Sequence, residues 1–293
     1  MSSAFICVKY NNRMKTHILS FSLSLCLMSS VMAQSPHTGI DPKSSGKTTS
    51  KPAEKTTPEQ PTTDCDISYL DYVFMAGKVL ERTLEDMFPI SEADEMKYGV
   101  DMHEQVATEY TFVSNSDKRY TRIQKMFNKL LPYRERKDIS YKIYLINDDA
   151  INAFSHAGGH VYVTTGILTD LQTDDELALV LGHEISHVDK KHCIRHLQAQ
   201  MGMQAAGEYA DIASQVSSVI STPFGQYDEY EADWAGANIM TSAGYNASRG
   251  LEVFRRWSAN ENTGDVMEKV FRTHPFSAER VCYLEMYVEN MGK

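Results

Sequence analysis

Apolar positions recur every three to four residues through YLDYVFMAGKVLERTLEDMF (69–88), SEADEMKYGVDMHEQVATEY (91–110) and KRYTRIQKMFNKLLPY (118–133). This spacing predicts three amphipathic helices. Ser91 with Asp94 three residues on marks a helix start, and Pro132 marks a stop. The period then changes to two. YKIYLI (Tyr141 to Ile146) and HVYVTTG (His160 to Gly166) read as strands, with Asn152 to Phe154 as a short strand between turns. After Gly166 the pattern turns helical again and stays so. These runs predict an α+β domain, mainly α-helical, with a small antiparallel or mixed sheet.

The helix that matters most opens at TDDELALVLGHEISHVDKKH (173–192). Thr173 and Glu176 form a capping box, and Asp174 and Asp175 sit at the positive helix end. Leu177, Val180 and Leu181 make its apolar face. Inside this helix lies HExxH: His183, Glu184 and His187. Residues four apart share a helix face, so both imidazoles can reach one metal ion. Glu184 is turned about 100° from His183, placed to reach a water without being a ligand.

A catalytic zinc takes three protein ligands and keeps one position open. One class of HExxH enzymes draws its third ligand from a histidine six residues after the second, with a glycine between. Here Cys193 and Lys190 occupy those places, which excludes that class. QYDEYEADWAGANIM (226–240) offers Glu229 and Asp233, four apart on one helix face. Glu229 is assigned to zinc, and Asp233 to orienting a ligating imidazole through its free N–H. A solvated acidic helix is the competing reading, since Asp228 and Glu231 are also there.

GHEISHVDKKH, then DEYEAD, then THPFSAER resemble the HtpX and CaaX-prenyl-protease family of zinc metalloendopeptidases, in the exported single-domain bacterial branch. The resemblance spans about residues 91 to 285 and includes NAFSHAGGHVYVTTGIL. It implies a zincin-like domain, one zinc per chain, and His183, His187 and Glu229 as its ligands. It also implies Glu184 as the catalytic base and Asp233 behind the ligands. Gln226 departs from the pattern, which often has arginine there. His274 resembles a family histidine able to approach the zinc, as a fourth ligand in a resting state or as an oxyanion stabiliser. A helix-cap histidine packed by Pro275 is the plain alternative.

The implied activity is hydrolysis of peptide bonds, with Glu184 taking the proton of the attacking water and passing it to the leaving amine. Unfolded or misassembled envelope proteins are the implied substrates, and the outer membrane or its assembly machinery an implied association. A zinc-stabilised chaperone or assembly factor with suppressed proteolysis is the alternative. The backbone of Asn152, Ala153 and Phe154 can lie at a sheet edge and pair with an extended substrate, or be an ordinary buried strand. His156 and His160 flank Gly158-Gly159 in a strand-turn-strand segment and read as no metal pair. His192 and His196 read as continuing the zinc helix, pointing about 140° and 180° away from His187, and hence as structural. Residues 197–222 read as a lid over the cleft or a packing helix.

Composition and charge refine the setting. Asp and Glu outnumber Lys and Arg, 39 to 29, in a chain of 293 residues. That balance argues against nucleic acid as partner. Residues 1–33 read as a secretory signal peptide ending at Val31-Met32-Ala33, with Met14 as initiator. Residues 34–64, rich in Pro, Ser, Thr and Lys, read as a disordered tether, and 65–293 as the metallopeptidase domain. The expectation is an exported protein of a Gram-negative periplasm. After residue 33 three cysteines remain, Cys65, Cys193 and Cys282; an oxidising compartment permits one disulfide among them and leaves one thiol over, and Cys193 and Cys282 as buried single thiols is the plainer reading.

Overall fold

The computed structural model of the chain describes residues 67–205, 223–259, 274 and 278–291. The signal peptide and the tether lie outside them. So do residues 206–222 of the lid-or-helix segment. Helices α1 (Ile67–Met87), α2 (Glu92–Glu109) and α3 (Lys118–Leu130) come first, as the helical periodicity predicts. Ser91 caps α2, its hydroxyl accepting from the Asp94 N–H; Asp117 does the same for α3 through Arg119. A single 3-10 turn at 131–133 carries Pro132 past the end of α3.

Strands β1 (Lys142–Ile146), β2 (Ala153–His156) and β3 (His160–Thr164) make one mixed sheet in the order β1-β3-β2. β1 runs parallel to β3, and β2 antiparallel to it with His156 opposite His160. Two strands differ from the sequence reading. β2 runs on to His156, and β3 stops at Thr164, whose hydroxyl caps a short helix α4 (Thr165–Asp170). All residues of β2 and β3 are buried, so no polar alternation marks their ends. Gly158 and Gly159 (φ 77° and 83°) make the tight turn between them, a conformation side-chained residues seldom adopt. Residues 111–113 cover the outer edge of β1, with the Val113 N–H donating to the Leu145 carbonyl. β2 is the other outer strand.

Helix α5 (Asp174–Asp189) runs through the centre, with every residue from Asp175 to Asp189 buried. Leu177, Leu181 and Ile185 each expose nothing measurable, and each such side chain stabilises the fold by about 1.5–3 kcal/mol. Thr173 caps it by accepting from the Glu176 N–H. The Glu176 carboxylate reaches back to the Gln172 N–H and also holds Arg256. β2, α3 and α7 (Gln226–Ser242) all pack against α5. The α5–α7 crossing is close because both helices present glycine there. A Cβ on Gly182 would stand 2.7 Å from the Gly236 carbonyl oxygen, and one on Gly236 would stand 2.6 Å from the His183 amide nitrogen.

The chain does not continue α5 beyond Asp189. Lys191 takes a left-handed conformation (φ 58°), and a new helix, α6 (His192–Ala205), begins directly after it. The rotation angles expected for His192 and His196 therefore do not apply. Short helices α8 (Ala247–Gly250) and α9 (Glu252–Ala259) lead to α10 (Ala278–Asn290). Cys193 is a buried free thiol, as expected. Cys282 corrects the reading of a single thiol: it is disulfide-bonded. Among the described residues no helix is long and apolar enough to cross a membrane.

The far face of the sheet carries a polar aromatic stack. Tyr162 Oη lies 2.7 Å from His103 Nδ1 and 2.9 Å from His156 Nε2, and Tyr144 Oη 3.1 Å from His160 Nδ1. Burial pushes His156 down to about 4 and His160 to about 3. Below an unfolded-state pKa of about 6.5 the unfolded chain binds protons that the folded chain excludes. Stability is therefore unpenalised above that value and falls as pH drops from 6.5 towards 4, by about 1.4 kcal/mol per pH unit for each such histidine. A urea midpoint measured from pH 7 to 4 should fall less steeply in His160→Phe; equal slopes would refute this origin of acid lability.

Candidate active site

α5 and α7 meet with His183, His187 and Glu229 facing one another, and His274 closes the group from the C-terminal side. Four donor atoms, one from each residue, lie within 4.8 Å of one another, and all four residues are buried. His183 Nε2 is 2.9 Å from His187 Nε2 and 3.6 Å from Glu229 Oε2; His187 Nε2 is 3.6 Å from Glu229 Oε1. His274 Nδ1 lies 3.2 Å from His183 Nε2 and 3.0 Å from Glu229 Oε1. Donors held about 2.1 Å from one tetrahedral centre stand roughly 3.4 Å apart. The cluster thus has the dimensions of a small divalent cation's shell.

The protonation chemistry points the same way. His183 Nδ1 is 2.8 Å from Asp233 Oδ1, so its proton sits there and its Nε2 lone pair faces the cluster. Lone pairs converging in a fully buried site repel unless a proton or a cation lies between them. The donor set of imidazoles and one carboxylate suits zinc and other borderline divalent ions.

Arg280, on α10, braces the carboxylates from behind. Its guanidinium donates to both Asp233 oxygens at 2.9 and 2.8 Å, and Nη1 lies 2.5 Å from Glu229 Oε2. Burial alone would raise the pKa of Glu229 and of Asp233. Arg280, with His274 for the first and His183 for the second, holds both below the usual carboxylate range. Arg280 engages Oε2, which leaves Oε1 turned towards His187 and His274. For His187, burial and the neighbouring imidazoles push the pKa well down, so it is neutral and its nitrogen is available as a donor. Burial lowers His274 too, but Glu184 and Glu229 outweigh it and the net direction is up.

Glu184 stands beside the cluster and outside its donor set. Ser155 on β2 donates to Glu184 Oε2 at 2.9 Å, and Glu184 Oε1 is 3.3 Å from His274 Nε2. A cavity of about 20 Å³, room for one water, adjoins Glu184. Its walls are mostly apolar: Ala153, Ile167, Val180, Phe254 and Trp257.

Of the nine residues proposed for the site from the sequence, all except two come together here. Asn152 and Phe154 do not reach the cavity. The Phe154 side chain packs on the sheet's far face with Val106, Ile146 and Tyr162. Ala153 alone of the three lines the cavity. Asp228 is buried and Glu231 partly buried, and both are engaged by neighbouring side chains, against the competing reading of a solvated helix. Asp228 accepts from Arg195 at 2.7 Å, and Glu231 lies 3.1 Å from His192 Nε2. His196 stacks on Phe224, and its Nε2 lies 3.1 Å from the Pro223 carbonyl oxygen. Ser155, Arg280 and His192 escape the sequence reading of the site. Arg280 had one signal, its place six residues after His274 in THPFSAER.

A mainly helical α+β domain with this buried donor set gathered around its HExxH helix defines a zincin-like metallopeptidase domain. The chain belongs to peptidase family M48, whose pattern matches residues 117–288, more than half of its length. It is 24% identical over 232 residues to the mitochondrial metalloendopeptidase OMA1 of Schizosaccharomyces pombe, covering 75% of this chain and 67% of that protein. It is 28% identical over 159 residues to the metalloprotease LoiP of Escherichia coli, covering 50% and 61%. With the beta-barrel assembly-enhancing protease of Yersinia pestis it shares 26% identity over 180 residues, covering 54% of this chain and 37% of the other. The chain thus spans only 37% to 67% of these relatives' lengths.

Proposed function

We propose that the chain is an exported zinc metalloendopeptidase that cleaves unfolded or misassembled proteins of a Gram-negative cell envelope. The observation that carries the proposal is Glu184, a carboxylate held by Ser155 at the rim of a buried three-histidine, one-glutamate cluster. A scaffold with a structural metal has no use for an unligated carboxylate at that place. The envelope setting draws on the signal-like residues 1–33 and on a relative named for beta-barrel assembly. The finer kinship with the HtpX and CaaX-prenyl-protease branch rests on the three quoted motifs.

In this reading His183, His187 and Glu229 hold one zinc, and Asp233 and Arg280 keep His183 and Glu229 oriented. The zinc, when bound, supplies a Lewis acid that acidifies water and polarises the scissile carbonyl. Glu184 accepts the proton of the attacking water at Oε1, the oxygen Ser155 leaves free. It then gives that proton to the leaving amine. The backbone of Asn152, Ala153 and Phe154 receives an extended substrate along the outer strand β2, in reach of Glu184 through Ala153.

His274 occupies the fourth corner of the cluster and touches Glu184 Oε1, so in this conformation it stands in the way of both. It must withdraw for substrate to enter, after which its Nε2 can donate to the developing oxyanion.

The test is incubation of the full chain with an unfolded casein-type protein, with and without chelator. Cleavage abolished by chelator is expected; binding that survives chelation with no cleavage would establish the chaperone reading instead. In the same assay His274→Ala should change both activity and zinc affinity. Unchanged values for both would reduce His274 to a helix-cap residue.

A further inference from the structure

His183 has its outer nitrogen fixed by Asp233. The equivalent nitrogen of His187 faces no carboxylate. It faces another imidazole, 2.9 Å from His192 Nδ1, and His192 Nε2 is in turn 3.1 Å from Glu231 Oε2. Both histidines are fully buried, with no measurable exposure. Arg195, one turn along α6, holds the far end: Nη2 lies 2.7 Å from Asp228 Oδ1 and 3.6 Å from Glu231 Oε2. Arg195 is itself anchored by Glu81 on α1 at 3.0 Å and by the Lys190 carbonyl at 2.9 Å.

With His192 neutral, one direction of this chain of hydrogen bonds is open. An ionised carboxylate only accepts, so His192 must carry its proton on Nε2 and donate it to Glu231. His192 Nδ1 is then a bare lone pair and can only accept. The proton between the two Nδ1 atoms therefore belongs to His187. With Nδ1 protonated, His187 presents the lone pair of Nε2 to the cluster, 2.9 Å from His183 Nε2.

We propose that His192 and Glu231 form a positioning relay that selects the metal-binding tautomer of His187 and makes that imidazole a stronger donor. The relay depends on the break after α5. Had the helix continued, His192 would point about 140° away from His187. Lys191, in its left-handed conformation, turns the chain so that the first residue of α6 comes back against the last turn of α5. His183 and His187 are thus held by different devices, a carboxylate braced by Arg280 and an imidazole–carboxylate pair braced by Arg195. This inference rests on His187 being a metal ligand.

The test is zinc affinity of the metal-stripped full chain, measured by chelator competition. His192→Phe keeps the ring volume and removes the acceptor; it should weaken zinc binding by about 10–100-fold. His192→Asn places an amide oxygen where Nδ1 stood and should restore most of that loss. Parent-like affinity in folded His192→Phe overturns the proposal, as does an Asn variant as weak as Phe. A merely structural His192 would lower the thermal midpoint of the metal-free protein and leave the zinc affinity of folded molecules unchanged. Should His192→Phe fail to fold, nitrogen-15 NMR of the metal-free parent decides. Protons on His187 Nδ1 and His192 Nε2 support the relay, and a proton on His187 Nε2 overturns it. Neither readout involves cleavage, so the relay and the protease reading stand or fall separately.

Discussion

Glu184→Gln is expected to reduce cleavage of an unfolded polypeptide by about 10²–10⁴-fold, the range assigned to a positioned general base. Metal content and fold should be unchanged. Glu184 lies outside the four-donor cluster, so its loss removes no ligand. The substitution keeps side-chain volume, and the glutamine carbonyl can still accept from Ser155 Oγ in place of Glu184 Oε2. What disappears is the ability to take a proton. The informative comparison is metal per chain by elemental analysis beside the cleavage rate on the same preparation. A variant with both metal and full activity would remove Glu184 from the role of base.

Gly236→Val should have a comparably large effect by a different route: loss of the site itself. The α5–α7 crossing admits no side chain there, because the atoms a Cβ would strike are backbone atoms of Gly182 and His183 at 2.6 to 3.0 Å. Backbone in a central helix cannot step aside, so the helices must separate. His183 sits on one helix and Asp233, 2.8 Å away, on the other, with Glu229 one turn before Asp233. A separation of even 1 Å breaks that contact and spreads the donors beyond the reach of one ion. Expected are a stability loss of about 1–3 kcal/mol by urea unfolding and a zinc affinity too weak to survive gel filtration. Gly236→Val with parent-like zinc content would show that the close crossing is not what assembles the site.

The parts of the site legible in the sequence are those that local periodicity encodes. HExxH and Glu229–Asp233 are pairs four apart on helices, and helical geometry alone says each pair shares a face. Thr173 at the start of α5 is legible for the same reason, since a cap is a local device. The contacts of Ser155 and Arg280 with the site residues are tertiary contacts between elements distant in sequence, and no spacing rule reaches them. Arg280 lies 47 residues from Asp233. The direction in which His192 points is not legible, because Lys190 and Lys191 give no warning of a left-handed residue and the helical pattern runs on across the break. The limits of β2 were blurred because that strand is buried on both faces and so lacks alternation. Gly182 and Gly236 are visible in sequence as two helix-weakening residues, and only the crossing explains them.

The most direct test of the central claim is stepwise return of zinc to the metal-stripped full chain, with cleavage of an unfolded polypeptide followed in the same sample. The account predicts cleavage that rises with added zinc and levels off at one zinc per chain. Full cleavage by the stripped protein, or one zinc bound per chain with no cleavage of any unfolded polypeptide, would contradict it.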